Sequence, residues 1–185
     1  MAANVNTTDV ACRKLTVINP YSGAVLGEVP AASKEEVDAA VATAVQAQKA
    51  WAETPAFERS EVLKRFVVLL ERDREKLAQT LTAEVGKPIN ESRGELSCAG
   101  DTFLSFAEKS RHLYDEIIPA GCEPGTEKTV LMAVREPLGV IACVIPFNFP
   151  CWSFSVKTAA ALAAGNAVIV KPSSDAPLTI LKMGK

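Results

Sequence analysis

The amino-acid sequence predicts an α/β protein in which a β-hairpin and long helices precede the first strands of a parallel sheet. Helical spacing of apolar residues extends over most of the stretch from 33 to 113. Two short apolar runs, Gly139–Val144 and Ala167–Val170, then flank a helix of small residues, and each run is followed by polar side chains. Together they indicate half of a ligand-binding α/β unit. The length of 185 residues fits one domain or a little more.

Composition excludes several classes of partner. The chain has 20 Lys and Arg against 22 Asp and Glu, a net charge of -2, so we expect no nucleic-acid or acidic-membrane partner. The single histidine and the wide spacing of the cysteines predict no metal site and free thiols in a reducing, cytoplasmic compartment. Residues 1–14 resemble no import peptide, and we expect an irregular start there. The five cysteines are Cys12, Cys98, Cys122, Cys143 and Cys151.

The first predicted elements are a hairpin and an amphipathic helix. Two β-prone runs between Leu15 and Val29 flank the turn formers of Asn19–Gly23, which favour a hairpin. Ser33 lies three residues before Glu36, the spacing of a capping box, and apolar residues at helical spacing follow to about Trp51.

Pro55 interrupts the helical pattern, which resumes from Phe57 and continues to Val85. Its charged segment, 71–75, is either the solvated outer face of one helix or a joint between two, and the outer face is the favoured interpretation. Gly86-Lys87-Pro88 is typical of a helix end.

A further helix is predicted over Ile89–Leu113, with His112 near its end as a surface residue rather than a catalytic one. A loop at 120–128 and a strand at Thr129–Val134 follow. The composition then changes from charged helices to apolar segments near Glu136, which separates a region 15–136 from a region 137–185.

The uncharged run Pro137–Val156 has the length of a membrane span. Pro146, Asn148 and Pro150 lie in its middle, where a backbone exposed to lipid would lack hydrogen-bond partners. We therefore predict no membrane segment.

Asn148 follows the first apolar strand, which we expect to be buried on both faces. Ligands of open α/β sheets lie at the carboxyl ends of the strands, so the Asn148 amide is positioned to act on one. The alternative is a turn residue that satisfies nearby backbone groups.

Lys171 ends the second apolar strand, after a helix predicted over Ser153–Ala164 and closed by Gly165-Asn166. Such a lysine can donate to ribose hydroxyls or phosphate oxygens, or it can simply be solvated at a strand end. Neither glycine-rich phosphate motif, GxGxxG or GxxxxGK[ST], occurs.

Four segments together resemble the N-terminal part of the NAD(P)-dependent aldehyde dehydrogenase superfamily. They are the turn at 19–23, the Glu-x-Gly-Lys-Pro segment at 84–88, EPLGVIACVIPFNFP at 136–150 and AALAAGNAVIVKPS at 160–173. The resemblance covers nearly the whole chain from about residue 15. It implies a doubly wound, Rossmann-like cofactor-binding sheet, of which this chain supplies the first βαβ part and leaves the rest incomplete. It also implies oxidation of a small-molecule aldehyde by NAD or NADP in an intact protein that is a homo-oligomer.

The resemblance assigns roles to individual residues. Asn148 matches the asparagine whose amide stabilises the oxyanion formed when a cysteine thiolate attacks the aldehyde. The cofactor-contacting turn matches Ile145, Pro146 and Phe147, and the segment that binds the adenosine ribose matches Lys171 and Ser173. Ser174 replaces a glutamate that many NAD-preferring members carry, so we expect NADP to be tolerated or preferred.

None of the five cysteines matches the family's nucleophile, which lies far downstream with the glutamate base. Cys151 has no candidate base beside it, and we interpret it as a buried structural thiol. The 185-residue chain alone is therefore predicted to be inactive, as a truncated part of the enzyme. The alternative is a non-catalytic fragment or interaction module that pairs with a homologous chain.

Overall fold

A computed structural model describes residues 14–184, which form six strands and five helices. Lys14 already belongs to the first strand, and the rest of the predicted irregular start lies outside the described residues. In chain order the elements are β1 (Lys14–Ile18), β2 (Val25–Pro30), α1 (Lys34–Glu53), α2 (Ala56–Val85), α3 (Ile89–Ser110), β3 (Glu116–Ile118), β4 (Leu131–Ala133), β5 (Val140–Val144), α4 (Pro150–Ala163), β6 (Ala167–Lys171) and α5 (Leu178–Met183).

The N-terminal predictions are confirmed. Strands β1 and β2 pair antiparallel, and Asn19 Oδ1 accepts hydrogen bonds from the amides of Tyr21 and Ser22 in the turn between them. In the capping box of α1, Ser33 Oγ accepts from the amide of Glu36, and a Glu36 carboxylate oxygen accepts from the amide of Ser33.

Helix α2 is continuous, so the charged segment 71–75 is the outer part of one helix and not a joint. Gly86 ends it in the left-handed region, at φ 80°, and a Cβ there would lie 2.8 Å from Pro20 Cγ. Both conditions require glycine at this position.

The region after α3 differs from the prediction. Helix α3 ends at Ser110, before the predicted Leu113, and the short strand β3 was not predicted. Strand β4 covers only Leu131–Ala133 of the predicted Thr129–Val134 and pairs antiparallel with β3. Sequence periodicity cannot identify a strand of three exposed residues, because no face of it is buried.

The main core lies between α2, α3 and α4. Three aromatic rings meet at its centre, with the centroid of Phe103 at 4.3 Å from Phe66 and at 6.0 Å from Phe154. Around them pack the buried apolar side chains of the same helices and of α5, including Leu63, Leu70, Leu77, Leu81, Leu96, Ala99, Ala159 and Ile180.

Strands β5 and β6 form a two-stranded parallel sheet joined by α4, which confirms the predicted βαβ unit. Helix α4 begins at Pro150, three residues earlier than predicted, since proline is well tolerated in the first helical turn. The expectation that β5 is buried on both faces is wrong for the described residues. Cys143 is its only buried residue, and Val144 is 56% exposed. Among residues 14–184 only β6 pairs with β5, so these residues leave much of the surface of β5 uncovered.

Within residues 14–184, no helix combines the length and the apolar composition needed to cross a membrane. The same residues contain no cluster of three or more His, Cys, Asp or Glu side chains that could hold a metal ion.

Candidate functional site

The candidate site lies at the carboxyl ends of β5 and β6. Val144 is the register partner of Lys171, and the amide of Ile145 donates to the carbonyl oxygen of Lys171 at 2.9 Å. These contacts place the segment after β5 beside the segment after β6, as expected for a ligand site of a parallel sheet.

Asn148 is exposed in the turn between β5 and α4. Its side-chain amide makes no hydrogen bond to any other residue of the stretch 14–184. The described turn therefore does not depend on this side chain for backbone hydrogen bonds, and the amide remains available to a ligand.

The main chain of Asn148 is hydrogen-bonded to the side chain of Lys87. The Lys87 ammonium donates to the carbonyl oxygen of Asn148 at 2.8 Å and lies 4.2 Å from the centroid of the Phe149 ring. The turn is thereby attached to the loop between α2 and α3.

Lys87 also forms an ion pair with Glu95 of α3, with Nζ at 2.5 Å from Oε2. The exposed fractions of the two side chains are 8% and 1%, so the pair is buried. The other oxygen of Glu95 accepts from the amides of Cys151 at 2.7 Å and Trp152 at 3.2 Å. A carboxylate at this end of α4 satisfies unpaired amides and interacts favourably with the helix dipole.

The opposite end of α4 is held by side chains of α1 and α2. Trp51 Nε1 donates to the carbonyl oxygen of Leu162 at 3.0 Å, and Arg59 Nε donates to that of Ala163 at 3.2 Å. Both ends of the helix that follows Asn148 are thus fixed by named hydrogen bonds.

The predicted turn residues differ in exposure. The Ile145 side chain is 2% exposed and packs in the core, so only its main chain can contact a ligand. Pro146 is exposed, and Phe147 is 54% exposed.

The residues after β6 lie close to this turn. Lys171 is exposed, with Nζ donating to the carbonyl oxygen of Pro172 at 3.0 Å, and Ser173 Oγ accepts from the amide of Asp175 at 3.3 Å. Ser174 is exposed and lines, together with Phe147, a cleft of about 430 Å³. Of the predicted residues, the structure therefore brings Phe147 and Ser174 into one cleft.

Cys151 lies directly behind the turn and is fully buried. Burial raises the pKa of its thiol well above the ordinary value, and the nearby carboxylates of Glu95 and Glu84 raise it further. Burial also raises the pKa of Cys143. A thiol that stays protonated is a poor nucleophile, in agreement with a structural role for Cys151.

Alkylation of the native protein tests this assignment. We expect iodoacetamide at neutral pH to label Cys98 and Cys122, which are exposed, at least about a hundredfold faster than Cys151, because only thiolates react and the Cys151 thiolate is disfavoured. Peptide mass spectrometry over a time course measures the rates. Labelling of Cys151 as fast as that of Cys98 would contradict the structural role.

His112 is exposed, and its Nδ1 lies 2.6 Å from the hydroxyl oxygen of Tyr114. The predicted surface location is confirmed.

Sequence analysis missed Lys87 and Glu95 as site residues. A signal was present, because Glu95 lies on the same helix face as the buried residues Ala99, Phe103 and Ala107, at steps of four. A charged residue on an otherwise buried face needs a partner of opposite charge. Lys87 was interpreted only as part of a helix end. Its contact with the carbonyl oxygen of Asn148 could not be predicted, because the two residues are 61 positions apart in the sequence.

Comparison with known proteins identifies relatives over nearly the whole chain. Residues 7–185 match the sequence profile of the aldehyde dehydrogenase family. A 3-sulfolactaldehyde dehydrogenase of Priestia aryabhattai is 37% identical over 177 residues, which are 96% of this chain and 37% of that protein.

Solved structures agree with the sequence match. Aldehyde dehydrogenase 21 of Physcomitrella patens, in complex with the reaction product succinate, superposes with a TM-score of 0.90 at 38% identity. The match covers 95% of this chain and 37% of that one. An NADP-dependent glyceraldehyde-3-phosphate dehydrogenase of Bacillus halodurans, complexed with NADP, superposes with a TM-score of 0.90 at 35% identity. That match covers 93% of this chain and 36% of the dehydrogenase chain. The chain thus spans little more than a third of the length of these relatives.

Proposed function

This chain belongs to the aldehyde dehydrogenase family, and from that premise we propose that it forms part of an enzyme that oxidises an aldehyde with NAD(P) as hydride acceptor. The product is a carboxylate or an acyl compound. Within that enzyme, residues 145–148 and 171–174 contribute the oxyanion-binding amide and part of the cofactor site.

The observation that carries the proposal is the free side-chain amide of Asn148 on a fixed backbone. An amide donor stabilises an oxyanion best when it is oriented before the negative charge develops. The Lys87–Glu95 ion pair, which is bonded to the turn, and the hydrogen bonds at both ends of α4 hold this backbone. The amide itself has no partner within residues 14–184.

The end of β6 and the residues after it suit a dinucleotide, with Lys171 and Ser174 exposed and Ser173 partly exposed. We assign the ribose hydroxyls to Lys171 and Ser173, with the exposed ammonium of Lys171 as donor. When bound, NAD(P) supplies the acceptor for the hydride. Ser174 carries no negative charge that would repel a 2′-phosphate, which supports acceptance of NADP, the ligand of the Bacillus halodurans relative.

The nucleophile is assigned to none of the cysteines described. Cys143 and Cys151 are buried with raised pKa values, and the exposed Cys98 and Cys122 have no site residue proposed beside them. We propose that the cysteine and the general base come from sequence outside residues 1–185, so that this stretch alone is inactive.

Ser174→Glu tests the assignment of the 2′-phosphate position. We expect the variant to bind NADP at least about tenfold more weakly, with NAD binding nearly unchanged, because a carboxylate there repels the phosphate. Isothermal titration of the natural gene product with each nucleotide measures both affinities. Ser105→Glu, which adds the same charge at an exposed position of α3, is the matched control, and an equal effect of Ser174→Glu on both nucleotides contradicts the assignment.

The activity is tested by the formation of NADPH or NADH by the natural gene product that carries residues 1–185. Succinic semialdehyde and 3-sulfolactaldehyde are the first substrates to try, since proteins named for these aldehydes are among the relatives. We expect turnover with the gene product and none with residues 1–185 alone. Turnover by residues 1–185 alone would overturn the assignment of the nucleophile to another segment.

Exposed apolar surface supports assembly into a homo-oligomer. The β3–β4 hairpin and its flanks expose Ile117, Met132 and Val134 to between 58% and 75%. We propose that this hairpin is covered by a second chain. The same surface would serve the alternative function, a non-catalytic module that pairs with a homologous chain, and absence of turnover in an oligomeric gene product would favour that alternative. Sedimentation of the gene product determines the oligomeric state.

We also propose a reducing, cytoplasmic location. Cys98, Cys122, Cys143 and Cys151 are all free thiols, as is usual for proteins of such compartments.

A further inference from the structure

We propose that Lys87 is a positioning residue for Asn148, holding the backbone of the turn so that the side-chain amide points to the oxyanion. The inference rests on the proposed function for its catalytic consequence. Its structural part, that Lys87 fixes the turn, stands on the contacts alone.

The contacts of the Lys87 ammonium run in three directions. It donates to Asn148 O at 2.8 Å and to Glu95 Oε2 at 2.5 Å, and it lies over the Phe149 ring at 4.2 Å. An ammonium has three donors and no acceptor, so these contacts leave it little freedom. These contacts connect Asn148, the neighbouring Phe149 and the buried carboxylate of Glu95 in α3.

The bond to Asn148 O fixes the peptide unit between Asn148 and Phe149. Because the carbonyl carbon is bonded to Asn148 Cα, holding this unit also restricts the position of the Cα from which the Asn148 side chain projects. Phe149 has φ −134° and ψ 64°, outside the helical region, so the chain turns sharply before α4 begins at Pro150. The lysine therefore holds the main chain of the turn directly after the Cα of Asn148.

Glu95 connects the same lysine to α4. One carboxylate oxygen pairs with Lys87, and the other accepts from the amides of Cys151 and Trp152. The turn and the helix start thus share one buried anchor, which we define as Lys87 and Glu95. Displacement of the turn or of the start of α4 would break hydrogen bonds to Lys87 or Glu95. These bonds lie in a site that excludes water, since both side chains are almost fully buried.

A simpler role for Lys87 would be to neutralise Glu95 and nothing else. The two roles differ in what happens when charge is removed from both partners. If neutralisation is the only role, the pair Lys87→Met with Glu95→Gln keeps the site intact. If Lys87 positions Asn148, this double variant loses the bond to Asn148 O, although glutamine still offers an oxygen to the amides of Cys151 and Trp152.

The experiment compares Glu95→Gln with the double variant K87M/E95Q in the natural gene product. We expect kcat of the double variant to be roughly tenfold to a hundredfold lower than that of Glu95→Gln, the effect of a small misplacement of a catalytic group. The KM values of the two variants for NAD(P) should agree within about twofold. Lys34→Met is the matched control, because Lys34 forms an exposed ion pair with Asp38. It should leave kcat unchanged.

Coupling to Asn148 separates positioning from general damage. In an Asn148→Ala background, K87M/E95Q should lower kcat no further than Glu95→Gln does, because the group that Lys87 positions is already gone. The same loss in both backgrounds, or no loss in the parent, overturns the proposal.

Hydrogen exchange gives a readout that is independent of activity. The amides of Cys151, Trp152 and Ser153, which donate hydrogen bonds at the start of α4, should exchange at least about tenfold faster in K87M/E95Q than in Glu95→Gln, with amides of α1 unchanged. If no aldehyde is oxidised by the parent protein, the proposed function fails while faster exchange still supports the contact. Unchanged exchange overturns the positioning role whatever the activity.

Discussion

Replacing Asn148 with alanine is expected to lower kcat by about 10²–10³-fold, with little change in the affinity for NAD(P). In the proposed role, the amide donates to an oxyanion present only in the transition state and its neighbouring intermediate, so its loss affects the chemical step and not cofactor binding. Steady-state kinetics and nucleotide titration of the natural gene product measure the two quantities. Asn148→Asp should be at least as damaging, because a carboxylate repels the oxyanion.

Asn90→Ala is the matched control for this prediction. Asn90 is exposed in the first turn of α3, and its side chain accepts only a hydrogen bond from Arg93 at 3.3 Å. Its replacement should leave kcat within about twofold. An Asn148→Ala enzyme that retains kcat would mean that the asparagine is only a residue of the turn.

Replacing Lys87 with methionine is expected to lower the free energy of unfolding by about 3–5 kcal/mol. Methionine keeps most of the buried volume but leaves the Glu95 carboxylate charged, with an exposed fraction of only 1% and no cation beside it. Urea unfolding of the natural gene product, followed by Trp fluorescence, measures the change.

Two further variants identify the cause of that change. K87M/E95Q should recover more than half of the loss, because no uncompensated charge remains. Arg93→Ala removes an exposed pair with Glu75 and should lower the free energy of unfolding far less than Lys87→Met does. A cost for Lys87→Met no larger than that for Arg93→Ala would show that the pair is not buried in solution.

Local signals in the sequence were sufficient for much of the fold. The capping box at Ser33 and the helix end at Gly86 follow from side chains within a few residues of the feature, and strands β5 and β6 follow from two apolar runs that flank a helix of small residues. Such features depend on short-range hydrogen bonds, on allowed backbone angles or on short continuous apolar runs. They can therefore be predicted from the nearby sequence.

The anchor of Lys87 and Glu95 could not be located in the same way. Its lysine contacts a carbonyl 61 positions further along the chain, and its carboxylate contacts an amide 56 positions away. Nothing in the sequence around either residue specifies such a partner. The limited burial of β5 agrees with the incomplete sheet that the resemblance implies and not with the apolar run itself, because such a run reports what a strand can bury and not how many neighbours this chain supplies.

A crystal structure of the natural gene product with NADP bound tests the central proposal most directly. We expect the adenosine ribose to contact Lys171 and Ser173, the 2′-phosphate to lie beside Ser174, and the turn 145–147 to contact the cofactor. The Asn148 amide should face the space next to the nicotinamide. A nucleotide bound away from β5 and β6, or an Asn148 side chain bonded to its own backbone turn, would contradict the proposal.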